Sequence, residues 1–135
     1  MSRGKEGVRH MPKTGIVFKK TGVSVETYED SYKFISSNVD GYIERVPVSV
    51  FDAKHIDVWV NEEGKFRSDL KPTAVMTHEG KFVDYLIGNI VFTKSNKNGD
   101  TISLTKKDVS FIQDTLISSG WWYSHKFGTL LMLKY

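Results

Sequence analysis

Two stretches decide the fold: Tyr42-Ile43-Glu44-Arg45-Val46-Pro47-Val48 and Ile56-Asp57-Val58-Trp59-Val60-Asn61. In the second, Ile56, Val58 and Val60 alternate strictly with Asp57, Trp59 and Asn61. A period of two places successive side chains on opposite faces of a strand. The first stretch is rich in residues that favour strands and opens after Gly41. Its Pro47 cannot donate to a ladder, and so marks a strand end, an edge or a bulge. Glu62-Glu63-Gly64-Lys65 then reads as a turn.

Working outward, Gly15 to Lys20 predicts a first strand, Thr21-Gly22 a turn, and the alternating Val23 to Tyr28 a second strand. Tyr28, Tyr32, Ile35 and Val39 fall at helical spacing, which predicts a helix over 29–38 ended by Asn38 to Gly41. Residues 65–84 contain the breakers Pro72 and Gly80 and are expected to form a loop-rich excursion. Leu86 to Thr93 reads as one central apolar strand with a bulge at Gly88. Asn96 to Gly99 supplies a hairpin loop, and Thr105-Lys106-Lys107-Asp108 has the form of a capping box with Asp in place of Glu. Val109, Ile112, Leu116 and Phe111 give the following helix its core stripe, and Gly120 ends it. The tail from Trp121 to Tyr135 predicts a hairpin bent at Lys126-Phe127-Gly128. Strands that do not alternate regularly with helices point to an α+β class: a mainly antiparallel β-sheet with two helices packed on it, as a single domain over 15–135.

A chain of 135 residues is long enough to bury one core without staples. It contains no cysteine, which excludes disulfides, thiol nucleophiles and Cys-based metal centres. No apolar run approaches the ~20 residues of a membrane span, and the basic start lacks the apolar stretch of a signal peptide. The expected compartment is the cytoplasm, with no membrane partner. The net charge of +3 is unevenly placed. Residues 1–20 hold six basic residues against Glu6 alone, whereas the rest of the chain carries 13 basic and 15 acidic groups. The basic character therefore belongs to an N-terminal arm over 1–14 that is expected to be disordered, and the folded body lacks the positive face of a nucleic-acid binder.

No phosphate loop, dinucleotide fingerprint, nucleophile elbow or kinase signature is present, and no cofactor is expected. Glu62 and Glu63 are adjacent, so in extended chain they point apart and read as solvated turn residues rather than an acid–base pair. His10, His55, His78 and His125 are scattered and never spaced as zinc ligands, so no metal is expected. Trp121-Trp122-Tyr123-Ser124-His125-Lys126-Phe127 is different. Aromatics with polar tips beside an imidazole and an ammonium suit stacking on a base while a cation holds a phosphate. Alternation places Trp121 and Tyr123 on one side and Trp122 on the other. Trp59, flanked by Asp57 and Asn61, reads either as an exposed interface residue or as one covered by a helix on a doubly buried sheet. The candidate ligand-binding residues are Arg45, Trp59, Trp121, Tyr123, His125 and Lys126.

Asp40 to Val48, then Asp57 to Lys65 with its Asn-Glu-Glu-Gly-Lys block, then Leu86 to Phe92 resemble the phage and bacterial family catalogued as domain of unknown function 3846. The resemblance covers roughly 30–112, departs from the usual pattern over 66–84, and supplies no catalytic residue. It implies a phage or mobile-element setting, in which small proteins without catalytic motifs inhibit host machinery or sequester a defence signal. The expected function is accordingly a non-enzymatic sponge for a nucleotide-derived signal, built as a homo-oligomer with pockets at subunit borders. The alternatives are an inhibitor docked on a host protein, a nucleic-acid binder acting through the arm, and a hydrolase of the same nucleotide.

Overall fold

A computed structural model describes residues 11–20 and 22–134. Among these, the elements run β1 (Lys13–Lys19), β2 (Gly22–Tyr28), α1 (Ser31–Val39), β3 (Ile43–Val46), α2 (Ser49–Asp52), β4 (Ile56–Asn61), a 3-10 turn (Gly64–Phe66), β5 (Pro72–His78), β6 (Lys81–Ile87), β7 (Ile90–Ser95), β8 (Thr101–Ile102), α3 (Lys106–Ser119), β9 (Trp121–Ser124) and β10 (Gly128–Lys134). The α+β class holds, but the strands divide into two sheets. One has the order β2-β1-β7-β4-β3 with β8 beside β7, and the other the order β6-β5-β10-β9. Every pairing is antiparallel except β5 with β10, where Leu131 stands beside Ala74 in parallel register.

The first sheet is buried on both faces. Val17, Val91 and the half-buried Trp59 face α1, whose Phe34, Ile35 and Val39 close over them. Ile16, Val58, Val60 and Phe92 face the other way, into the main core. There they meet Ala74, Met76, Leu131 and Leu133 of the second sheet, Ile112 and Leu116 of α3, and Phe51 of α2. Phe51 sets its ring edge-on to Phe92 at 5.3 Å and to Phe111 at 6.0 Å. Helix α2 is a third helix beside the two expected; four residues carry no periodic signal.

Three further differences from the sequence reading have physical causes. Residues 65–84 are not a loop-rich excursion, because Pro72 and Gly80 bound strands rather than break them. Pro72 is the first residue of β5, where a missing N–H costs little. Glu79 and Gly80 have φ of 51° and 80°, the pair of positive angles that a two-residue hairpin between twisted strands requires. Leu86 to Thr93 is not one strand: Gly88 at φ 80° forms a turn, not a bulge, and hands the chain from β6 of the second sheet to β7 of the first. That crossover is tied down by Thr73 Oγ1 donating to Gly88 O at 2.6 Å and by Asn89 Nδ2 donating to Asn38 O at 2.9 Å. Finally, β1 begins at Lys13, inside the segment assigned to the arm, so Lys13 and Thr14 belong to a strand. The expected disorder of the remaining arm, residues 1–10, lies outside the described residues.

The capping box forms as read. Thr105 Oγ1 accepts from Asp108 N at 3.1 Å while Asp108 Oδ2 accepts from Thr105 N at 2.8 Å. Lys94 of β7 adds Nζ contacts of 3.0 and 2.9 Å to the same carboxylate, pinning the start of α3 to the first sheet. Burial penalises the charged Asp108, but the hydrogen bonds from Lys94 and Thr105 outweigh it and hold the carboxyl below its ordinary value. A folded pKa below the unfolded one gives stability that is full above pH ~4 and is lost as pH falls through the folded value. Asp108→Ala should therefore cost about 2 kcal/mol at neutral pH. Urea denaturation across pH should show the gap between wild type and variant narrowing in acid.

Candidate functional site

Strand β9 borders the second sheet, paired on one side with β10 and open on the other. Leu131 pairs with Trp121 and Thr129 with Tyr123, so Trp121 and Tyr123 lie on the same side of the strand, 65% and 70% exposed. The ring of Tyr123 meets His125 edge-on at 5.9 Å, which continues the row into the turn. Trp122 points the opposite way and is half-buried, with Phe82 at 6.0 Å. Lys126 also turns away from the row, its Nζ 5.4 Å from the ring of Phe127. Ser124 is buried, and its Oγ accepts from Phe127 N at 3.1 Å to close the turn. It is spent on structure and is not presented to His125 as a nucleophile.

The six residues taken together as one site do not assemble. Trp59 is not an exposed anchor: it packs with Val17 and Val91 against the helix-covered face of the first sheet, and its Nε1 donates to Thr93 Oγ1 at 2.8 Å. Arg45 is not a free cation. Its Nε donates to Asp57 Oδ1 at 3.0 Å and its Nη2 to Asp52, a fork that ties β3, β4 and α2 together. Both belong to the first sheet, while Trp121, Tyr123, His125 and Lys126 cluster on the border of the second. His55 and His78 are also exposed and separate from that cluster. Glu62 and Glu63 are exposed, as the turn reading requires.

Other features were not read from the sequence. Behind Trp122 lies an aromatic layer on the outer face of the second sheet: Phe82 meets Tyr85 at 4.8 Å, and Tyr85 meets Phe127 at 5.4 Å. Residues three apart on a regular strand face opposite ways. Val83 is an extra residue between the pairs Met76–Asp84 and Thr77–Phe82, and this bulge brings Phe82 and Tyr85 to one face. A second feature is a cleft of about 380 Å³ between β3 and β6, floored by Val46, Val60, Met76 and Leu86. Phe66, 90% exposed, stands among its lining residues. The signal in the sequence was a Phe between Lys65 and Arg67 in a turn, where an apolar ring has no core to enter.

The Asn-Glu-Glu-Gly-Lys block positions that cleft. Asn61 Nδ2 donates to Val39 O at 2.9 Å and Asp40 O at 3.1 Å, and its Oδ1 accepts from Glu63 N at 2.7 Å. Arg67 then clamps the segment, with 2.8 Å to Asp40 Oδ2 and 2.5 Å to Asp69 Oδ2. The guanidinium holds the Asp69 carboxyl down at about 2.

A model of the family described as domain of unknown function (DUF3846) matches residues 14–117. The match extends the resemblance back through β1 and β2 and stops within α3, before β9 and β10. No curated protein matches the chain. No solved structure matches it either. No helix among the described residues is long and apolar enough to cross a membrane.

The two sides of β9 should separate in urea denaturation. Trp121→Ala and Tyr123→Ala should each move stability by no more than about 0.5 kcal/mol, as exposed residues do. Trp122→Ala should cost about 2 kcal/mol, since it removes a half-buried ring from an aromatic layer.

Proposed function

The chain belongs to the family of the domain of unknown function DUF3846, and from that premise we propose that it is a non-enzymatic binding protein that docks on another protein through the border of β9. One observation carries this reading: two large aromatics, Trp121 and Tyr123, stand exposed side by side on an open strand edge. Edges exposed to solvent are ordinarily protected by charge, proline or a bulge. β3 has Glu44, Arg45 and Pro47 at its border and β6 has Lys81, Asp84 and the Val83 bulge, whereas Trp121-Trp122-Tyr123-Ser124 has none of these. Tryptophan and tyrosine on such an edge are the residues that anchor protein interfaces. In the phage setting that the family resemblance implies, the partner is a host protein and the outcome is inhibition of a defence.

The nucleotide-sponge reading has its own support in the Tyr123–His125 ring pair. It places the base against an open sheet edge, so it requires a second copy of the chain to supply the opposing wall. Arg45 and Trp59 drop out of it, since both are engaged within the first sheet.

The two readings separate in one preparation. A tagged chain exposed to host lysate should retain one protein at stoichiometric level, and a Trp121→Ala/Tyr123→Ala chain should retain at least ~10-fold less. Native mass spectrometry of the same sample should show a one-to-one complex. A nucleotide mass on a homo-oligomer would favour the sponge instead, and neither species would refute both.

A further inference from the structure

β9 is short, but the direction of its backbone groups is fixed. Met132 N donates to Gly120 O at 3.1 Å, and the ladder continues with Trp121 opposite Leu131, Trp122 opposite Leu130 and Tyr123 opposite Thr129. In an antiparallel pair, residues that exchange hydrogen bonds alternate with residues whose backbone groups point away from the neighbouring strand. Gly120, Trp122 and Ser124 therefore bond towards β10, while the N–H and C=O of Trp121 and Tyr123 point outward from the border of the sheet. Those four groups have no strand partner among the described residues, because β9 pairs with β10 alone. Such a row of open donors and acceptors is a template for one more strand.

The side chains narrow what that strand can be. Trp121 is the cross-strand neighbour of Leu131, which lies in the main core, so Trp121 and Tyr123 stand on the α3 side of the sheet, beyond the reach of that core. Ile117, in the last turn of α3, is exposed as well. Trp122 lies on the opposite face with the aromatic layer. The strand Trp121–Ser124 carries no charge, so nothing in it repels its own copy.

A second β9 turned about a two-fold axis through Trp122 answers the first in full. The N–H of Trp121 donates to the C=O of Tyr123 in the copy, its C=O accepts from the N–H of the same residue, and symmetry supplies the other two bonds. The same operation sets Trp121 beside Tyr123 of the copy on one face and Trp122 beside Trp122 on the other, the aromatic cross-strand pairs that stabilise a ladder. Ser124 falls opposite Gly120 of the copy, which carries His125 towards the end of the copy's α3. That helix has no basic residue in its last turn, and its C-terminus is the negative end of its dipole.

We propose that β9 is a self-docking border: without a host partner, two copies of the chain join β9 to β9, antiparallel and in register about Trp122. Two four-stranded sheets thereby become one of eight. The inference rests on the reading of β9 as a docking surface and adds its regulation, since a host protein must displace the second copy to reach Trp121 and Tyr123. Four backbone hydrogen bonds and a few aromatic side chains make a small interface of the transient class, so the pair opens on dilution.

Sedimentation velocity of the purified full chain should show monomer giving way to dimer between about 1 and 500 μM. Tyr123→Pro should weaken dimerisation at least ~10-fold and leave the fold intact, because proline is tolerated at an edge where the lost N–H faces out. Register is read by disulfide formation, for which the cysteine-free chain has no background. Trp121→Cys and Tyr123→Cys, both at exposed positions, should cross-link in oxidised glutathione when mixed, at a Cα separation of about 5.5 Å. Each alone should cross-link at least ~10-fold more slowly, since it meets its own kind only on the diagonal at about 7–8 Å. A monomer throughout that concentration range, a dimer indifferent to Tyr123→Pro, or either variant alone cross-linking as fast as the mixture overturns the proposal. Host lysate separates it from the docking reading. A dimer that gives way to a one-to-one complex supports both, and a host protein retained on an intact dimer overturns the displacement. A monomeric chain that still retains a host protein overturns the pairing alone, whereas a dimer that retains none overturns the docking alone.

Discussion

The Asn61 side chain is the constraint on which the arrangement of the first sheet and the cleft depends. A buried amide must satisfy both its donor and its acceptor, or the fold loses a few kcal/mol. Here the donor closes the end of α1 through Val39 O and Asp40 O, and the acceptor fixes the turn through Glu63 N. One planar group thus sets the helix that covers one face of the sheet and the turn that carries Lys65 and Phe66 beside the other. Asp40, at φ 64° in the left-handed region, and Arg67 complete the junction. Replacing the amide with a carboxylate would set an acceptor oxygen against the two carbonyls of Val39 and Asp40, three acceptors with no donor between them. This explains why a buried polar residue ends β4.

Burial on both faces also explains the polar residues of β4. Asp57 and Asn61 are enclosed, yet each is answered, by Arg45 and by the α1 carbonyls. Trp59 between them buries its rings and gives its one donor to Thr93. The second sheet is asymmetric: helix and core cover one side, while the other carries a self-made cover of Phe82, Tyr85, Trp122 and Phe127 over Val75 and Leu130. Such edge-on ring pairs add about 0.5–1.5 kcal/mol each beyond the area they bury. The sheet therefore needs no third layer, and its border strands remain available for contact.

What was legible in the sequence follows from how local each determinant is. The β4 alternation, the Thr105–Asp108 box, the Asn98-Gly99 loop and the β9–β10 bend are set by neighbours in the chain, and all are present. The split at Gly88 was not legible, because Leu86, Ile87, Ile90 and Val91 are equally apolar on both sides of it. Only the division into two sheets gives them different destinations. The Val83 bulge was hidden for the same reason, since it shows only against the register of β5. At the candidate site, the separation of Trp121 and Tyr123 from Trp122 came from the period of two. The engagement of Arg45 by two aspartates depends on α2, a helix too short to be seen in advance.

The parallel pairing of β10 with β5 bears on the order in which the molecule can be made. β10 lies inside the second sheet, between β5 and β9, and its Leu131 and Leu133 fill the main core. A ribosome delivers β5 and β6 well before that strand exists, so the nascent hairpin emerges with one border and one apolar face unfilled. Folding of this half is obliged to wait until the chain through Lys134 is free, and a translation product stopped at Gly120 would expose that unfilled border to other chains. The region most exposed to premature association during synthesis is thus the one that later forms the interior of the finished sheet.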